Sequence, residues 1–237
     1  VVLAEPLDRP DPVLGRSLGW GGDAVDAPRA RALEPGRVRV AVLDSGVDAG
    51  HPDLAGQVVA ARDFTGSGST DDVVGHGTMV AGLLAAGEQG VGLAGVAAGA
   101  EIVSAKVVHP DGGVSDLDAA QAVTWAVDQG ARVINLSFGG AAPDSPELTA
   151  ALADAARRGV VVVAAAGNDP ALGVVWPARG LVEDDGMPVT GLAVGASTPS
   201  GDPAGFSAPG AGLSLLAPGA GAGGDCRDGV VGPSSST

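Results

Sequence analysis

The sequence predicts an α/β domain with a doubly wound, mainly parallel sheet and helices packed on it. Three observations carry this. Short apolar runs alternate along the chain with longer segments that have helix caps. The runs are continuous rather than alternating, as strands buried on both faces are. The 237 residues are 45% hydrophobic, with 40 glycines, no tyrosine and only 3% aromatics. Small and β-branched side chains of this kind suit helices lying close on buried strands.

Residues 1–36 are rich in Pro, Gly and charge and read as an arm over a domain that runs from 37 to 237, with Trp20 as an anchor and a short helix near Ala27–Leu33. Val38–Asp44 (VRVAVLD) is an apolar run ending in an acid, a buried parallel strand. A Gly/Ser/Thr loop over Thr65–Thr70 leads to a small-residue helix over His76–Ala86, stopped by Gly87. Glu101–Val108 is the next strand. A helix follows, with Ser115 as N-cap, Asp118 in the acid position of a capping box and Gly130 as stop. Ala131–Leu136 is a strand, and the next helix is capped by Ser145 with Pro146 in its first position. Val160–Asn168 is a strand running into a loop; VTGLAVGAS and GLSLLAPG supply two more. No internal repeat and no second core are apparent.

The net charge of −15 argues against nucleic acid or an anionic membrane as partner. Cys226 is the single cysteine, so a disulfide scaffold and a thiolate metal cluster are excluded. No signal peptide and no apolar run of membrane-spanning length is present. GVGLAG (Gly90–Gly95) has the spacing of a dinucleotide-binding fingerprint, but it follows a helix and precedes a strand, the reverse of what that site needs.

In doubly wound sheets, functional groups gather past the carboxyl ends of the strands. Asp44, Asn135 and Asn168 stand at such ends, although each residue type also favours turns. Of the three histidines, His51 and His109 precede prolines in turn sequences. His76 lies between glycines at the start of an apolar helix, where a backbone or a substrate can approach the ring.

VAVLDSGVDAGHPDL and GHGTMVAGLLAA resemble the aspartate and histidine motifs of the subtilisin-like serine proteases, the subtilases. GVAAGAEIVSAKVV, VINLSFGG, VVVVAAAGN, WPA and FSAPG…LLAPG follow in the family's order, and the resemblance covers about residues 18–237. It implies a three-layer, subtilisin-like fold and a serine endopeptidase with Asp44 orienting the imidazole, His76 as general base and acid, and Asn168 as oxyanion donor. Ser137, Phe138 and Gly139 would hold substrate backbone as an added strand, and Ala164, Ala165, Ala166 and Gly167 would line the specificity pocket.

The family's serine motif is Gly-Thr-Ser-x-Ala/Ser-x-Pro. In GPSSST (Gly232–Thr237), register with Gly232 puts Ser234 in the nucleophile position, with Pro233 in place of the usual Thr. The resemblance therefore predicts a chain cut just after its nucleophile, lacking the family's C-terminal helices and weak or inactive as a peptidase. The other reading is a catalytically impaired subtilase-fold binding protein. The resemblance further implies a polypeptide substrate, no cofactor for the chemistry, a structural calcium with Asp53 as one ligand near the loop Gly87–Leu93, and an extracellular or cell-surface location. It leaves substrate preference and oligomeric state open.

Overall fold

A computed structural model describes residues 20–32, 37–87, 94–141, 144–182 and 191–221. Its centre is a seven-stranded sheet of β1 (Arg39–Asp44), β2 (Val58–Asp63), β3 (Glu101–Lys106), β4 (Val133–Leu136), β5 (Val161–Ala165), β6 (Gly191–Ser197) and β7 (Leu215–Pro218). The order across the sheet is β2-β3-β1-β4-β5-β6-β7, and each neighbouring pair is parallel. The carboxyl ends of β1, β4 and β5 thus stand side by side along one edge.

The helices are α1 (Trp20–Ala24), α2 (Ala27–Ala32), α3 (His76–Ala85), α4 (Asp116–Asp128), α5 (Pro146–Arg157) and α6 (Ala178–Val182). Residues of β1, β3, β4, β5 and β6 alternate between the two faces of the sheet. Ala41, Leu43, Ile134, Leu136 and Val162 join the core beneath α4, α5 and α6. Val40, Val42 and Ile102 join a smaller core with Ala81 and Ala85 of α3. Helices therefore lie on both faces, giving the three layers of a doubly wound domain. The connections β2→α3→β3 and β3→α4→β4 run across the sheet in the same direction, yet α3 packs on the face opposite α4, so the two crossovers have opposite hands and one departs from the usual right-handed form.

Local signals fix the helix ends. Ser145 Oγ accepts from the Leu148 amide at 3.3 Å, with Pro146 in the first turn. Ser115 Oγ accepts from the Asp118 amide at 3.4 Å. The capping box is otherwise incomplete, because the Asp118 carboxylate takes His109 Nε2 at 2.9 Å instead of reaching back to the cap. A bridge between Val108 and Val114 folds the preceding turn so that His109 meets the helix.

The expected strands and helices are present with ends trimmed by one to three residues; Ala131–Leu136, for instance, narrows to Val133–Leu136. Three elements lack a sequence expectation: β2, α1 and α6. Residues 1–19 and 33–36 of the expected arm, most of GVGLAG, Cys226 and Ser234 lie outside the described residues.

Leu148 is fully buried between α5 and the sheet. Leu148→Ala is expected to cost about 2–5 kcal/mol. In chemical denaturation this appears as a lower midpoint at an unchanged slope.

Candidate active site

The site is built where α3 meets the end of β1. Asp44 is the last residue of β1 and is 2% exposed. His76 is the first residue of α3. Its Nδ1 lies 2.7 Å from Asp44 Oδ1 and 2.9 Å from Oδ2. The Ser45 amide donates to Asp44 Oδ1 at 2.7 Å, fixing the carboxylate from the other side.

Glycines make the approach feasible. A Cβ on Gly77 would lie 2.0 Å from the Gly46 carbonyl oxygen and 3.0 Å from Asp44 Cβ, so only glycine lets the first turn of α3 rest on the loop after β1. Gly75, at the N-cap, has φ +88°, a left-handed conformation that glycine adopts without strain.

The hydrogen bond to Asp44 raises the His76 pKa above its ordinary value; burial opposes this, and the charges of Asp44 and Asp72 add to the rise. With Nδ1 turned to a carboxylate, the neutral ring carries its proton on Nδ1 and presents Nε2 as a base.

Sequence reasoning missed Asp72, Ser45 and Thr78. Asp72 is buried beneath the start of α3 and bonds to both other residues. The available signal is its place four residues before His76, just ahead of a helix, where an acid can cap.

Asn168 is exposed in the bend after β5. Its loop is anchored by the Ala208 amide donating to the Gly167 carbonyl at 3.0 Å and the Val175 amide donating to the Ala166 carbonyl at 2.9 Å. Asn135 is turned to its own neighbour, Nδ2 donating to Ser137 Oγ at 2.8 Å. Ser137, Phe138 and Gly139 leave the end of β4 beside that loop, and the Gly140 amide donates to the Trp176 carbonyl at 2.9 Å. Of the four small residues expected to line a pocket, Ala164 and Ala166 instead face the core, while Ala165 and Gly167 are half-exposed. Strand alternation accounts for the split.

Asp53 is 7% exposed in the 3₁₀ turn Pro52–Leu54, and its carbonyl accepts from the Gly87 amide at 3.0 Å. A calcium ion takes six to eight oxygens. Among the described residues, no three His, Cys, Asp or Glu gather in a metal-binding group. Residues 88–93 of the neighbouring loop lie outside the described residues.

Asp44→Asn removes the largest cause of the raised His76 pKa. The imidazole midpoint, read by NMR titration, is expected to fall below that of the wild type.

Comparison with known proteins bears on this arrangement. The profile of the subtilase family matches residues 36–236. Subtilisin BL of Lederbergia lenta is 42% identical over 207 residues, which are 86% of this chain and 72% of that protein. The alkaline protease of Alkalihalobacillus alcalophilus is 41% identical over 209 residues, 87% of this chain and 52% of that protein. The major intracellular serine protease of Bacillus subtilis (strain 168) is 38% identical over 160 residues, 64% of this chain and 50% of that protein. The chain thus spans about half the length of the latter two. A family match over most of its length and identity above 40% to a subtilisin mean that the chain belongs to the subtilase family of serine endopeptidases.

Proposed function

We propose that the chain hydrolyses peptide bonds through a triad of Asp44, His76 and Ser234 and an acyl-enzyme. The observation that carries this reading is the contact between His76 Nδ1 and the Asp44 carboxylate at 2.7 Å, which leaves Nε2 as the free ring nitrogen.

As Ser234 Oγ bonds to the scissile carbonyl carbon, His76 Nε2 takes the hydroxyl proton. The carbonyl oxygen becomes an oxyanion, to which the Asn168 amide donates. The imidazolium returns its proton to the amide nitrogen, the C–N bond breaks, and the amine leaves. Water then attacks the acyl ester, giving a proton to Nε2, and collapse of the second tetrahedral species restores the Ser234 hydroxyl. Asp44 holds the ring and stabilises its charged form throughout. The chemistry draws on no cofactor.

Residues 37–237 form the catalytic domain in this reading, and residues 1–36 its arm. Ser137, Phe138 and Gly139, continuing past β4, hold a polypeptide substrate by its backbone. Ala165 and Gly167 line the pocket wall, stiffened from behind by the buried Ala164 and Ala166. Among the described residues, no helix is long and apolar enough to cross a membrane. An extracellular or cell-surface location rests on the family resemblance; cell fractionation with an antibody to the chain tests it.

In a chain extended past Thr237, a fluorophosphonate probe is expected to label Ser234, to fail on Ser234→Ala and to label His76→Ala far more slowly. A folded extended chain that resists the probe would favour a binding-only role. Removing the oxyanion asparagine of a subtilisin lowers kcat by about 10²–10³; a loss of that size with little change in KM is expected for Asn168→Ala. A structural calcium at Asp53 would draw its other oxygens from backbone carbonyls and neutral side chains or from outside the described residues. If one is bound, a chelator lowers the melting temperature and added calcium restores it, and Asp53→Ala abolishes the response.

A further inference from the structure

We propose that Asp72 is a positioning residue of the His76–Asp44 pair, acting through Ser45 and the first turn of α3. The inference rests on the reading of His76 as the base.

Asp72 is 5% exposed and satisfies both carboxylate oxygens with donors from two segments. Oδ1 accepts from Ser45 Oγ at 2.8 Å, the Gly75 amide at 2.8 Å and the Val74 amide at 3.1 Å. Oδ2 accepts from the Thr78 amide at 2.8 Å and Thr78 Oγ1 at 2.6 Å. Gly75 at the N-cap has no side chain to cap the helix, so Asp72 supplies from three residues upstream what a cap ordinarily gives.

These bonds do more than start a helix. Ser45 Oγ, held by Asp72, accepts from the Gly77 amide at 3.0 Å, while the Ser45 amide holds Asp44 Oδ1. Thr78 Oγ1, also held by Asp72, accepts from the Asp48 amide at 2.9 Å. The two residues after His76 are therefore tied to the loop that follows Asp44, the two before it are tied to Asp72 itself, and Asp72 joins the two sets. Lys106 Nζ secures the adjoining backbone by donating to the Asp71 carbonyl at 2.8 Å.

The Asp72 carboxylate also adds its charge to the field at His76. The other titratable groups on the surrounding elements are Asp44 on β1, Lys106 on β3, Asp48 and Asp71 on the loops, and His51 and Asp53 at the 3₁₀ turn. Asp44 contributes most to the rise in the His76 pKa, and Asp72 adds to it. Loss of the Asp72 charge thus moves the imidazole midpoint down, and the acid limb of the rate profile moves to lower pH with it.

Asp72→Asn keeps the shape but places an amide N–H₂ against donors. The expected result is a kcat about 10–100-fold lower, a KM within about threefold of wild type as for a group that acts on the transition state, and a lower His76 midpoint by NMR. A folded Asp72→Asn chain whose midpoint and kcat match wild type overturns the proposal. A chain whose kcat falls with an unmoved midpoint does so too, since a purely structural role predicts that pattern. If Asp72→Asn does not fold, Ser45→Ala decides. It removes the hydroxyl that links Asp72 to the Gly77 amide and leaves the Asp72 charge in place, so kcat falls while the midpoint stays; wild-type kcat overturns the proposal. The titration reads His76 without turnover, so failure of Ser234 to react with the probe tells against the triad and leaves the Asp72 result to be judged separately.

Discussion

The site depends on one close approach, that of Gly77 to the Gly46 carbonyl oxygen. With a Cβ 2.0 Å from that oxygen, the first turn of α3 could not seat on the end of β1. Everything chemical follows from the seating. It brings His76 within hydrogen-bonding distance of a carboxylate at the end of a central strand, and directs Nδ1 inward so that Nε2 is free. The parallel order then sets what stands next to it. Asp44 ends β1, Ser137 follows β4 and Asn168 follows β5, on neighbouring strands, so the chain needs no long loops to line up the groups that the proposed mechanism uses as base, backbone cradle and amide donor.

Two carboxylates, Asp44 and Asp72, are buried within a few residues of the same imidazole. Burying like charges together is costly unless donors surround them. Here the donors are backbone amides at the start of α3, the Ser45 and Thr78 hydroxyls and the imidazole itself. The N-terminal end of a helix also favours negative charge. In the proposed mechanism a negative field is useful at His76, because it stabilises the imidazolium that forms on proton transfer.

Much of this was legible in the sequence, for reasons that individual residues make plain. β1, β3, β4 and β5 are apolar runs because both faces are covered, and Ser145-Pro146 announces α5 by local bonding alone. β2 was not legible: Val58–Asp63 is an edge strand with no buried residue, and its short apolar run Val58–Ala61 passes at once into Arg62 and Asp63. The capping box at Ser115 misled because its rule counts positions along one helix, whereas Asp118 answers to His109, brought in by a turn. Asp44 and His76 stood out through the glycines and apolar runs around them. Asp72 did not, since an acid in STDDVV reads as a solvated loop and its burial arises only when Ser45 and Thr78 close over it. Ala164–Gly167 reads as a uniform small stretch, and strand parity divides it between core and surface.

The composition of α3 explains why a polar network carries such weight here. Its buried residues are Gly77, Thr78, Ala81, Gly82 and Ala85, with Val80 and Leu84 partly buried against the smaller core. At about 0.8 kcal/mol for each buried methyl or methylene, the three methyl groups of Thr78, Ala81 and Ala85 contribute roughly 2–3 kcal/mol to its placement. Hydrogen bonds to a charged group are worth about 1.5–3 kcal/mol each, and Asp72 accepts five. Even if sharing one carboxylate halves their individual worth, they match or exceed what the methyl groups supply. The fully buried face of α3 is made of small residues, which lets it lie close enough to β1 for the His76–Asp44 contact and leaves that face with little apolar surface of its own. The residues that permit the approach of His76 thereby create the need for a polar anchor, and Asp72 fills it.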